Sequence, residues 1–159
     1  MKTLEITTLG PEETQALGRQ IGQSARPGDV YLLSGRLGAG KTCLTQGIAW
    51  GLGSEEYAAS PTFVLMRELK GRLTLYHIDL YRLDNLEEIA DLGLDDYFYG
   101  QGVCVVEWAE KGLAILPEEH LLVKINYTSE NERRLILTPN GKRYEELVTH
   151  IEAARESHR

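Results

Sequence analysis

Gly35-Arg36-Leu37-Gly38-Ala39-Gly40-Lys41-Thr42 fits the pattern G-x-x-x-x-G-K-[S/T] at every fixed position. The pattern constrains the fold because it works in one setting, the turn between a buried strand and the first turn of a helix. Both neighbours are present. Residues 29–34 (Asp-Val-Tyr-Leu-Leu-Ser) read as a buried strand, and Cys43, Leu44, Ile48 and Trp50 continue a helix that closes at Gly51 and Gly53. Glycines let successive backbone N–H groups turn inward around phosphate oxygens. The helix N-terminus adds its positive end. Lys41 brings a mobile cation to the β- and γ-phosphates, and the Thr42 hydroxyl is a ligand for Mg2+. A nucleotide-binding protein is expected.

The rest of the chain predicts an α/β architecture, one P-loop NTPase domain over residues 1–159 with a mixed parallel and antiparallel sheet covered by helices. Alternation at Leu4–Thr8 suggests a short edge strand. A helix starts near Pro11, turns Leu17 and Ile21 to the core, and is interrupted by Gly22, Pro27 and Gly28. Residues 63–69 and 73–79 read as a hairpin around Lys70-Gly71-Arg72, and 85–92 as a short helix. Gly102-Val103-Cys104-Val105-Val106 has the composition of a buried strand. Residues 121–127 and 134–138 form a last strand pair, and Tyr144, Leu147, Val148 and Ile151 mark an amphipathic helix.

Composition narrows the partners. Lys plus Arg is 17 against 24 for Asp plus Glu, a formal net charge of −7. Phosphate attraction carries most non-specific nucleic-acid affinity, so an acidic chain does not seize RNA by itself. Two cysteines, Cys43 and Cys104, make neither a disulfide framework nor a zinc spacing and read as small packing residues. No run approaches the roughly 18 apolar residues of a membrane helix. A cytoplasmic protein without a membrane role is expected.

A phosphate-loop enzyme needs an acid at the end of a neighbouring strand to hold Mg2+ or its water. Val103-Cys104-Val105-Val106-Glu107 and Leu75-Tyr76-His77-Ile78-Asp79 both end in one. Residue type alone leaves open which acid touches the metal. Ser60-Pro61-Thr62-Phe63 lies between the loop helix and the Asp79 strand, where a switch threonine would stand.

Taken together, Gly35 to Thr42, Ser60-Pro61-Thr62-Phe63, His77-Ile78-Asp79-Leu80-Tyr81-Arg82 and Glu107-Trp108 resemble the TsaE (YjeE) family in order and approximate spacing. The resemblance implies ATP or ADP bound with Mg2+, and ATP hydrolysis that is weak without partner proteins. It implies two partners, TsaD and TsaB, which carry out threonylcarbamoyl modification of the tRNA adenosine after the anticodon; tRNA is met only through them. On this reading Gly35, Gly38, Ala39, Gly40, Lys41, Thr42, Cys43 and Arg133 bind nucleotide, with Arg133 near the base. Thr42 and Glu107 hold Mg2+, and Lys41, Asp79 and Glu107 are catalytic. Thr62, His77 and Trp108 form the switch that partners read. Arg36, Cys43 and Ala109 stand where the family often has Asp, Thr and Pro, and none of these changes removes a required chemical group.

Two other classes compete. A small-molecule kinase needs an acceptor pocket and an arginine-bearing lid, for which Arg133-Arg134 is too little. A nucleotide-sensing module would bind without turnover. A GTPase would want an Asn-Lys-x-Asp segment to read guanine; there is none, so adenine is favoured.

Overall fold

A computed structural model describes residues 3–36, 39–58 and 66–157. In chain order the elements are β1 (Leu4–Thr8), α1 (Pro11–Gln23), β2 (Val30–Gly35), α2 (Lys41–Gly51), β3 (Met66–Leu69) and β4 (Leu75–Asp79). There follow α3 (Leu86–Ala90), α4 (Asp95–Phe98), β5 (Val103–Glu107), β6 (His120–Tyr127), β7 (Arg133–Asn140) and α5 (Lys142–Glu156). Among the described residues the strands form one seven-stranded sheet in the order β1-β7-β6-β2-β5-β4-β3. The four inner strands β6, β2, β5 and β4 run parallel. The outer pairs β1–β7, β6–β7 and β3–β4 are antiparallel. This is the mixed sheet with helices that the pattern predicts.

The apolar runs of β2 and β5 follow from their place. Neither strand has a solvent face, so both sets of alternating side chains must be apolar. Tyr31, Leu33 and Val105 face one core with Leu17, Ile21, Leu44, Ile48, Leu147 and Ile151 from α1, α2 and α5. Val30, Leu32, Cys104 and Val106 face a second core with Ile78, Leu80, Ile89, Phe98 and Leu116. Two ties fasten α5 to the start of β2. The Arg143 guanidinium grips both oxygens of Asp29 at 3.0 and 2.7 Å, and the Tyr144 hydroxyl accepts the Val30 N–H at 2.9 Å.

The structure departs from the sequence pattern at three places. Helix α1 does not break at Gly22 but runs to Gln23. Strand β7 begins at Arg133 and continues through Pro139 to Asn140. Proline is tolerated there because β1 pairs with β7 only as far as Leu137. Helix α4 was not anticipated; four residues with a single buried side chain, Phe98, show no helical period. The hairpin's first strand is described only from Met66, and residues 63–65 lie outside the described residues.

Gly22 has a different task. Helices α1 and α2 cross with backbones nearly touching, through Gly18 and Gly22 on one and Gly47 and Gly51 on the other. A Cβ on Gly18 would lie 2.4 Å from the Leu44 carbonyl oxygen, and one on Gly47 would lie 2.1 Å from that of Gln15. Gly22 and Gly51 are as tight: a Cβ on either would lie 2.2 Å from a carbonyl oxygen across the interface. Such closeness suits weak Cα–H···O contacts between helices and leaves no room for a methyl group. In an open helix, Gly→Ala stabilises by roughly 1 kcal/mol. Here the sign reverses. Gly47→Ala is expected to destabilise by about 3 kcal/mol, the upper end of overpacking costs, as a lower midpoint in urea unfolding. An unchanged or raised midpoint would contradict this packing.

Candidate functional site

Residues 36–40 join the end of β2 to the start of α2, so the glycine-rich loop stands at the C-terminal edge of the parallel strands. Strand register brings the acids to the same edge: Leu33 lies opposite Glu107, and Glu107 opposite Asp79. Gly40 holds φ +112°, a conformation that side chains rarely adopt, as the chain enters α2. By helix geometry the first turn of α2, from Lys41 to Cys43, points its N–H groups toward the loop, the end that favours anions. Cys43 is half-buried there.

Lys41 is only 5% exposed. Its ammonium donates to the carbonyls of Gly35 at 2.6 Å and Arg36 at 2.9 Å. It also lies 4.0 Å from the centre of the Trp108 ring, a cation–π distance. Burial pulls its pKa below the usual lysine value, while Glu107, Glu110 and Asp79 pull it back up. The cation is therefore short of water, and its two hydrogen-bond acceptors are neutral carbonyls.

Glu107, 2% exposed, is the hub. The Thr42 hydroxyl lies 3.3 and 3.4 Å from its two oxygens, and the Thr45 hydroxyl 3.5 Å from Oε2. His77 Nε2 meets the same Oε2. Thr45 also donates to the Lys41 carbonyl at 2.9 Å, so its closer bond is within the helix. Asp79 is buried and accepts the Tyr81 N–H at 2.9 Å. Burial raises its pKa. The Tyr81 N–H opposes the rise, Glu107 adds to it, and His77 and Lys41 oppose it more weakly.

Trp108 directly follows Glu107 and holds φ 59°, the one positive φ outside glycine among the described residues. Such strain persists only where the surroundings fix it. Here the Tyr81 ring lies 4.9 Å away and Lys41 covers the indole. Lys111 in turn donates to the carbonyls of Tyr81 and Leu83.

The structure thus brings together Lys41, Thr42, Glu107, Asp79, His77 and Trp108. His77, expected at a position that partners read, has no exposed surface and cannot be touched directly. Arg133 reaches the loop: its Nε donates to the Ala39 carbonyl at 3.0 Å. Its Nη1 donates to the carbonyls of Ser129, Glu130 and Glu132 in the β6–β7 turn. Gly38 and Thr62 lie outside the described residues. Thr45 and Tyr81 were not singled out from sequence. Thr45 sits three residues after Thr42, on the same helix face, and Tyr81 is part of the His77–Arg82 block.

The donor set fits a phosphate-bound Mg2+. Among the described residues no group of three or more His, Cys, Asp or Glu could hold a metal alone. Mg2+ commonly takes one or two protein oxygens and completes its shell with waters and phosphates; Thr42 and Glu107 offer that number at the loop. Two grooves lie elsewhere. One of about 700 Å³ lies between α1 and α5, and one of about 550 Å³ is lined by Phe98, Ile115 and Tyr144. Neither contains a loop residue, and an anion held by backbone N–H groups needs no enclosed cavity.

Comparison with known proteins identifies the family. The family model for "Threonylcarbamoyl adenosine biosynthesis protein TsaE" matches residues 8–136. The chain is 48% identical over 152 residues to the tRNA threonylcarbamoyladenosine biosynthesis protein TsaE of Bacillus subtilis (strain 168), which covers 95% of both chains. It is 42% identical to the protein of the same name from Treponema pallidum (strain Nichols), over 83% of this chain and 98% of the other. The crystal structure of Bacillus subtilis YdiB superposes with a TM-score of 0.85 and 41% identity, covering 97% of each chain. Among the described residues no helix is long and apolar enough to cross a membrane.

The raised pKa of Asp79 has a consequence for stability. The folded chain keeps this proton to a higher pH than the unfolded chain does. Stability therefore falls as pH rises from the unfolded carboxylate range through the folded one, because the charge costs more in place than in water. Asp79→Asn keeps an oxygen for the Tyr81 N–H and removes the charge. It is expected to melt a few degrees above wild type at neutral pH, with the gain vanishing at acid pH. Melting curves across pH check this, and a variant that melts below wild type at neutral pH contradicts it.

Proposed function

The chain belongs to the TsaE family of tRNA threonylcarbamoyladenosine biosynthesis proteins, and we propose that it serves that pathway as an Mg2+-dependent ATPase whose nucleotide state is read by TsaD and TsaB. The observation that carries the reading is the convergence of Lys41, Thr42, Asp79 and Glu107 on one sheet edge beside the glycine-rich loop.

The loop and the first turn of α2 would cradle the phosphates of ATP or ADP. Lys41 would exchange its bonds to the Gly35 and Arg36 carbonyls for phosphate oxygens, gaining a charged acceptor in place of neutral ones. Thr42 and Glu107 would hold Mg2+, which when bound neutralises charge on the β- and γ-oxygens. Asp79 would stand on the γ-phosphate side, orienting the attacking water or the metal's water shell. Its raised pKa suits a carboxylate that accepts a proton as the water attacks. Arg133 would steady the loop through Ala39, and Cys43 would contribute backbone rather than thiol.

Partner coupling rests on Trp108 and the segment around Thr62. Tyr81, 48% exposed, extends the Trp108 ring toward solvent, and Trp108 itself touches Lys41. A partner resting on these rings would feel the lysine move. The net charge of −7 fits tRNA met through partners rather than directly. A cytoplasmic setting follows from the same role.

Two substitutions test the reading. Two unit charges about 4 Å apart interact by about 4 kcal/mol at an effective dielectric of 20, so Lys41→Ala is expected to weaken ATP binding by roughly three orders of magnitude while the fold survives. Titration with a fluorescent ATP analogue measures this; wild-type affinity would remove Lys41 from the site. Trp108→Ala is expected to keep ATP affinity within a few-fold but lose hydrolysis stimulated by TsaD and TsaB, at a coupling cost of at least about 2 kcal/mol. Full stimulation of a stable variant contradicts the partner role. Early melting with poor nucleotide binding returns Trp108 to the core. Phosphoryl transfer to a small acceptor without partners would favour a kinase, and binding without turnover in their presence a sensor.

A further inference from the structure

His77 sits on β4, and its Cα partner on β5 is Val105. Alternation puts its side chain on the same face as Val105 and Glu107, the face that packs against α2. The ring is 0% exposed. Nε2 meets Glu107 Oε2. Nδ1 is buried and has no hydrogen-bond partner among the described residues. A buried N–H without an acceptor is rarer in proteins than a buried acceptor without a donor. An imidazole with one proton and one partner therefore places the proton where the partner is.

We propose that His77 is a positioning residue for Glu107: it carries its single ring proton on Nε2, donates it to Oε2, and so keeps Oε1 turned to the Thr42 hydroxyl and the Mg2+ position. Two donors reach the carboxylate, His77 from the sheet and Thr42 from α2; the Thr45 hydroxyl, 3.5 Å from Oε2, gives its one proton to the Lys41 carbonyl. Only the histidine comes from outside the loop helix. It fixes the carboxylate relative to the sheet, whereas Thr42 moves with α2. Outer partners of this kind typically alter metal affinity by about 10–100-fold when removed. The metal part of the inference rests on the function proposed above; the proton's place does not.

The first measurement uses the full chain, labelled with 15N-histidine and free of nucleotide. Long-range 1H–15N correlation, with the His77 signals identified by their loss in His77→Gln, reads which nitrogen carries the proton. A proton on Nε2 alone is expected; a proton on Nδ1, or on both nitrogens, overturns the proposal. The second measurement is binding of a fluorescent ADP analogue as Mg2+ is raised, and again in EDTA. His77→Leu is expected to raise the half-saturating Mg2+ by about tenfold or more, with affinity in EDTA little changed. His77→Gln, which offers an N–H at the place of Nε2, is expected to restore most of the Mg2+ response. A merely structural histidine would lower affinity equally with and without Mg2+. An unchanged Mg2+ requirement in both variants overturns the proposal while nucleotide binding stands. If His77→Leu does not fold, the proton's place and the Gln variant decide. A wild-type chain that binds no ADP analogue under either condition overturns the function proposed above and the metal part of this inference, and the proton's place is then decided by the first measurement alone.

Discussion

A carboxylate buried at the end of an apolar strand must find donors or lose its charge. Glu107 finds them on two separate elements. His77 approaches from the adjacent strand β4, and Thr42 from the helix that follows the phosphate loop. Each donor must keep its place for the carboxylate to remain satisfied, so the first turn of α2 is held to the sheet by Glu107. The loop is then spanned between two anchored ends, Gly35 in β2 and Lys41 in α2, and Arg133 steadies it from a third side through Ala39.

Hydrogen bonds of this kind tolerate only tenths of an ångström, and the glycine crossing supplies the tolerance. With no side chain between Gly18 and Leu44, or between Gln15 and Gly47, the depth of α2 over the sheet is set by backbone contact. A layer of side chains at that contact would let rotamers absorb small displacements. Backbone against backbone has no such slack, so α1 acts as a fixed stop behind the loop helix.

Much of this was readable from the residues because the signals are local. The loop motif, the apolar runs of β2 and β5 and their terminal acid are contiguous in sequence, and their pairing follows from parallel register. What was not readable depends on partners distant in the chain. Gly22 reads as a helix breaker until α2 is seen across from it. His77 reads only as one member of a switch, and its bond to Glu107 appears when its Nε2 is seen on a residue thirty positions later. Arg133 was expected near a base, and its contact with Ala39 spans 94 positions. Helix α4 leaves no trace because one buried Phe98 does not make a period.

The sheet order also bears on how the chain is made. Among the described residues strand β1 pairs only with β7, Leu4 opposite Leu137, so the earliest strand waits for the last. On a ribosome adding about 5–20 residues per second, that wait is roughly 7–26 seconds. During it β1 is an open strand beside a half-built sheet, the exposure that invites wrong pairing. Its sequence is suited to the delay: Glu5 and Thr7 alternate with Leu4 and Ile6, so a stray partner would meet a charge. In the finished fold Glu5 accepts a bond from Arg134 at 2.6 Å. The residue that discourages early partners is thus matched by a cation on the strand that arrives last.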